Sequence, residues 1–278
     1  MKIWPGIIAA ALLAGCQNPQ QDTLVDRGAY QLETLHQAQG ADRRIRFLVM
    51  HYTAEDFHSS LKTLTDEHVS AHYLLPAHPQ REHGKPTVYR LVPEAMRAWH
   101  AGASAWRGRS NLNDTSIGIE IVNKGFTRSM LFTHWQPYTA EQIAVLIPLS
   151  RDIIQRYGIQ PQDVVGHSDI APQRKQDPGP LFPWRQLAQA GIGAWPDERD
   201  VQRLLAGRDR HAPVPMTPLL DKLARYGYAV DASWDARQQR NVLAAVQMHF
   251  RPDDVRGEPD AESEAIIDAL LVKYGAWR

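Results

Sequence analysis

Short apolar runs alternating with one long, well-capped helical pattern constrain this chain more than any other feature. The run RRIRFLVMHY at 43–52 turns continuously apolar after its basic start. It is short and bounded, as a buried strand requires. HYLLP at 72–76 and VYRLVP at 88–93 are further short strands, and the loop between them holds Gly and Pro, which predicts a hairpin. SIGIEIVN at 116–123 places Ile117, Ile119 and Ile121 on one face, and DVVGH at 163–167 ends on a histidine. Thr139 and Gln142 form a T-x-x-Q capping box. Ile143, Leu146, Ile147, Ile153, Ile154 and Tyr157 then recur on one face, and Gly158 is a natural stop. Pro148 is expected to kink this helix. Strands and helices interleave, so the class is α/β or α+β.

Both ends of the chain read differently. Residues 1–15, MKIWPGIIAAALLAG, carry Lys2, an apolar run and small residues just before Cys16. A spanning helix needs about 20 apolar residues, so this segment has the layout of a secretory signal. Cys16 is the lone cysteine, which rules out an intrachain disulfide. Its setting, Leu13-Ala14-Gly15-Cys16, resembles a bacterial lipobox, which implies lipidation of Cys16; the alternative is an ordinary signal with an incidental cysteine. Gln17 rather than Asp after the cysteine favours the outer membrane, so the expected location is its periplasmic face. Residues 16–40 are polar and read as a tether, and 41–195 as the main domain.

Residues 196–214 carry charge and proline with little period and read as a linker. Across 215–278, three amphipathic stretches follow, marked by Leu219 and Leu223, Val242 and Val246, and Ile266 and Leu270. They predict a second, smaller three-helix domain. Lys and Arg total 31 against 31 Asp and Glu, a balance that argues against a nucleic-acid partner. A monomer is expected.

Nine of the 12 histidines lie between His51 and His167. His51 and His167 each close an apolar strand, and Asp177 follows ten residues after His167. Two imidazoles and a carboxylate suit a catalytic zinc site with one position open for water. No HExxH helix fixes two ligands at once. Strand-end histidines also serve as hydrogen-bonded structural residues, and spacing does not decide between the two.

VMHYTA at 49–54, AWHAG at 98–102, NDTSIGIEIVN at 113–123 and VGHSDIAPQRKQDPGPLFPW at 165–184 together resemble the zinc-dependent N-acetylmuramoyl-L-alanine amidases, and most of all the AmiD-type lipoproteins of Gram-negative envelopes. The resemblance implies a mixed central sheet flanked by helices. It implies one Zn²⁺ per chain, held by His51, His167 and Asp177. Glu120 would be the catalytic carboxylate, and Lys175 would stabilise the developing oxyanion. His100 and Trp99 would line the substrate groove. The expected partners are peptidoglycan and muropeptides, in reducing-end or 1,6-anhydro form, and the membrane through Cys16. YGYAVD at 226–231 and AAVQMHFRP at 244–252 more loosely resemble small peptidoglycan-binding domains. A non-catalytic wall-binding protein on the same fold would lack part of the metal set; here all five residues are present.

Overall fold

The computed structural model describes residues 23–130 and 133–277. The expected signal segment and the proposed lipidation site Cys16 lie outside them. The chain divides into two compact units, 1–42 and 43–278. In the first, the expected tether contains an exposed two-stranded hairpin, Leu24–Asp26 with Gln31–Glu33. Among the described residues, no helix is long and apolar enough to cross a membrane.

The second unit is built on a five-stranded sheet. Its strands are Phe47–Tyr52 (β1), Tyr73–Leu75 (β2), Tyr89–Arg90 (β3), Ser116–Ile121 (β4) and Val164–Gly166 (β5). They lie in the order β5-β1-β4-β2-β3. The first four in that order are parallel and β3 pairs antiparallel with β2, so the sheet is mixed. The hairpin expected between 72 and 93 is this β2–β3 pair.

Alternation along the strands explains the core. In β1, Leu48 and Met50 face one side, while Phe47, Val49 and His51 face the other. The first side, with Ile117, Ile119 and Ile121, packs under the helix Ala140–Tyr157. That helix has the expected Thr139 capping box and a left-handed Gly158 at its end; Pro148 lies within it. The other side meets the C-terminal helices: Phe47 and Val49 share a core with Leu223, Val246 and Ile267. Each such side chain contributes roughly 1.5–3 kcal/mol on full burial.

The helices on that side are Glu198–Leu205 (α1), Met216–Tyr226 (α2), Ala236–Phe250 (α3) and Ala261–Tyr274 (α4). The three expected amphipathic helices are α2 to α4. The expected linker at 196–214 is different, because α1 lies within it. Asp197 caps α1 by accepting from the Arg199 N–H, and Val201 is buried while Leu204 and Leu205 pack beside it. Charged residues on the rest of that short helix hid the apolar stripe. No break in the core separates these helices from the sheet, since one cluster includes both.

Candidate metal centre and substrate cleft

The C-terminal ends of β1 and β5 put two histidines side by side. His51 is the fifth residue of β1, and His167 directly follows β5. Asp177 returns on the next loop, where its carbonyl accepts from the Ser168 N–H at 2.8 Å. The Nδ1 atoms of His51 and His167 and Oδ2 of Asp177 form a triangle with sides of 3.0 Å. All three side chains are buried.

This donor set fits a metal ion. His167 Nε2 lies 3.1 Å from the Ala101 carbonyl, so it carries the proton and leaves its Nδ1 lone pair facing the triangle. His51 Nε2 lies 3.0 Å from His100 Nδ1. A donated proton there leaves a second lone pair on His51 Nδ1. Two lone pairs and a carboxylate oxygen converging in a buried space repel one another unless a cation sits among them. Tetrahedral zinc holds nitrogen ligands at about 2.0–2.1 Å, which separates them by roughly 3.3 Å, close to the spacing seen. Burial alone would raise the Asp177 pKa; without a cation, only protonated His167 and His51 hold it well below the ordinary range, and a metal ion in the triangle would take over that balancing of the carboxylate. Burial, then the neighbouring His167, lowers His51 to about 4, so its ring is neutral at pH 7.

His100 has a different part from the one expected. It does line the cleft. Both ring nitrogens, however, are committed: Nδ1 to His51 and Nε2 to the Ser116 hydroxyl at 3.2 Å. Ser116 in turn donates to the Leu112 carbonyl at 2.6 Å. The chain of bonds runs from ligand to backbone and fixes the ring of His51, leaving His100 no nitrogen for a substrate. Gly118 makes this possible. A Cβ there would lie 2.5 Å from the His100 ring.

Glu120 stands opposite His51 in the parallel register of β4 on β1. It sits in an inner strand, not at an edge, and it is half-buried at the cleft floor. Its Oε2 is enclosed without a hydrogen-bond partner. Burial, reinforced by the Asp177 charge, pushes its pKa up to about 8, with Lys175 pulling the other way. Lys175 is half-buried on the cleft wall.

The cleft over these residues measures about 580 Å³, within the range for small-molecule sites. Trp99 is 48% exposed and, with Val69, forms an apolar stretch of wall. Trp106, its neighbour in sequence, is core instead, with its Nε1 donating to the Gln162 carbonyl.

Three contributors were not legible in the sequence. Arg174 donates to the Ala101 and Ala103 carbonyls and so holds the loop that carries His100. Gly102 between them takes φ +56°, and a Cβ there would press on the Arg174 guanidinium. Asn241, from α3, lines the cleft and bonds Gln173 at 3.1 Å, so a C-terminal helix forms part of the wall. Asp169 is the third. Its Oδ2 accepts from the Gly166 N–H at the corner before His167 and from His249 Nδ1, both at 2.7 Å. Its Oδ1 accepts from the Tyr228 hydroxyl at 2.7 Å. His249 lies flat on Trp184, 3.8 Å between centroids. Tyr228 belongs to the YGYAVD segment and His249 to the AAVQMHFRP segment singled out from sequence, so both act here as clamps on the histidine corner.

Comparison with known proteins gives a consistent picture. Residues 41–180 match the family described as N-acetylmuramoyl-L-alanine amidase. The chain is 58% identical over 269 residues to the N-acetylmuramoyl-L-alanine amidase AmiD of Escherichia coli (strain K12), covering 97% of each. The solved complex of the E. coli AmiD with the substrate anhydro-N-acetylmuramic acid-L-Ala-D-gamma-Glu-L-Lys superimposes with a TM-score of 0.89, covering 91% of this chain and 98% of that one at 58% identity. AmpDh3 of Pseudomonas aeruginosa in complex with anhydromuramic pentapeptide matches with a TM-score of 0.79 at 43% identity, covering 90% and 98%.

Proposed function

The chain belongs to the N-acetylmuramoyl-L-alanine amidase family, and we propose that it hydrolyses the amide between N-acetylmuramic acid and the L-alanine of stem peptides, using one zinc ion held by His51, His167 and Asp177. The observation that carries this is the 3.0 Å ligand triangle facing Glu120 across one sheet register. When bound, zinc supplies Lewis acidity, polarising a carbonyl and making water acidic enough to attack near neutral pH.

The chain's own residues do the rest. Glu120 takes a proton from the attacking water and delivers one to the alanine nitrogen as it leaves. Its raised pKa suits both halves of that exchange, and positive charge at the ligand set adds to the Lys175 pull toward the ionised form. Lys175 places its ammonium where negative charge develops on the scissile carbonyl oxygen. His100 and the Ala101 carbonyl hold the two imidazoles in their ligand orientation. Trp99 offers a flat apolar surface to the sugar or peptide. Together these contacts keep the amide near the reacting groups, so that the attack is effectively intramolecular.

Both solved relatives named above hold anhydromuramic peptides. That favours acceptance of the 1,6-anhydro sugar alongside the reducing-end form. Cys16 carries the lipid that anchors the protein to the periplasmic face of the outer membrane, and the protein works as a monomer. The deciding experiment is mass spectrometry of products from defined muropeptides, with and without chelator. Metal-dependent release of peptides beginning with L-alanine is the expected result. A folded, zinc-loaded protein that binds the same muropeptides without cleaving them would make it a recognition protein instead.

A further inference from the structure

A second cleft, of about 760 Å³, lies at the other end of the sheet. Strand β1 runs between the two: Phe47, its first residue, lines this cleft, while His51 stands near its last. Four arginines line the cleft, Arg43, Arg46, Arg107 and Arg109, against a single carboxylate, Asp163. Arg107 faces Asp163 at 3.5 Å and donates to the Tyr226 carbonyl, so it is partly engaged. Arg43 spends one nitrogen on the Arg156 carbonyl. Arg43 and Arg109 are both exposed. Trp277, 42% exposed, adds an aromatic surface beside them. In a chain whose charges sum to zero, this is a local excess of three positive charges with no part in the amide chemistry.

We propose that this cleft binds the phosphate headgroups of an anionic membrane surface and turns the catalytic cleft away from that surface. Guanidinium groups match phosphate oxygens two at a time, and exposed tryptophan suits the headgroup layer. The chain itself favours this occupant over other anions. Arg43 is the first residue of the second unit and lines the cleft, so the segment leading back to Cys16 joins at this rim. The 26 residues between Cys16 and Arg43 would span only about 28 Å on average as a random coil, and the hairpin at 24–33 shortens that reach. Anchored at Cys16, the cleft is held near headgroups at high effective concentration, where weak contacts suffice. The orientation therefore rests on the proposed lipid anchor, while headgroup binding by the cleft does not.

The test uses the full mature-length chain as Cys16→Ser, which carries no acyl chains, with phosphatidylcholine vesicles made with and without phosphatidylglycerol. Co-sedimentation should occur with the anionic vesicles only and should weaken as salt rises. Arg43→Ala and Arg109→Ala should each weaken it about fivefold, the value of one arginine near such a surface. Arg43→Lys with Arg109→Lys should retain most of it, and turnover of a soluble muropeptide should stay unchanged throughout. Equal binding to both vesicle types, or indifference to the two alanine substitutions, overturns the proposal. So does loss of binding to peptidoglycan sacculi, rather than vesicles, in the alanine pair. Failure to cleave muropeptides would sink the amidase reading alone, and membrane retention in cells of Cys16→Ser that also carries Arg43→Ala and Arg109→Ala would sink the anchor alone.

Discussion

Glu120 shows how a residue's chemistry is set by its register. One position earlier or later in β4, its carboxyl would point into the isoleucine face instead of toward His51. Glu120→Gln should keep the metal and lower kcat by about 100- to 10,000-fold, measured on zinc-loaded enzyme. The same group gives metal-free protein a pH signature. Its folded pKa, about 8, lies above the ordinary 4.5, so the folded state keeps the proton longer than the unfolded chain. Stability must then fall as pH rises toward about 8. His51 acts oppositely, because its lowered pKa removes stability as pH falls from 6.5 toward about 4. Thermal denaturation of chelated protein between about pH 6.5 and 8 should show the decline, and Glu120→Gln should flatten it. His100→Ala should weaken zinc binding by about 10- to 100-fold in chelator competition while the fold persists, because the bond that orients His51 is lost. These roles differ in how far sequence reveals them. Strand-end positions suggested His51 and His167, but their meeting with Asp177 and Glu120 rested on motifs, since sequence spacing carries no distance across a sheet. The sequence points only to a groove position for His100, since its bond to Ser116 depends on Gly118 leaving room, which no local pattern announces.

At the scale of elements, periodicity was a good guide where one face was apolar throughout. The Ala140–Tyr157 helix, β4 and α2 to α4 all follow it. It failed for α1, a helix of eight residues whose polar side outweighs its stripe. It also could not show that α3 reaches the active site. His249 from α3 and Tyr228 from the turn after α2 both hold Asp169, and Asp169 holds the corner from which His167 projects. Removing one of these donors leaves a buried carboxylate oxygen short of a partner, at a cost of about 1–3 kcal/mol. His249→Ala should therefore lower Tm and also weaken zinc binding, whereas Leu219→Ala, in the same core but without a bond to that corner, should lower Tm alone. Paired denaturation and zinc-competition measurements on the two variants separate a clamp from general packing.

For the whole molecule, the location proposed above rests on a segment of very few residues around Cys16. Cys16→Ser with Arg43→Ala and Arg109→Ala should move the protein from the membrane fraction to the soluble fraction, as read by fractionation of cells, because both the proposed acyl chains and the proposed headgroup contacts are then gone. Its fold class was legible in the sequence because alternating strands and helices leave few layered arrangements. The joint between its halves was not, since a charged, proline-bearing stretch resembles a linker whether or not the pieces it connects share a core. That shared core restricts how such a protein can be rebuilt. Phe47 and Val49 lie under the C-terminal helices, on the sheet face whose far end carries His51 and Glu120. The tail is thus not a cassette that an engineer could exchange for a wall-targeting domain. A graft at residue 214 would bare the floor of the enzyme, so any added domain has to leave the native helices in place.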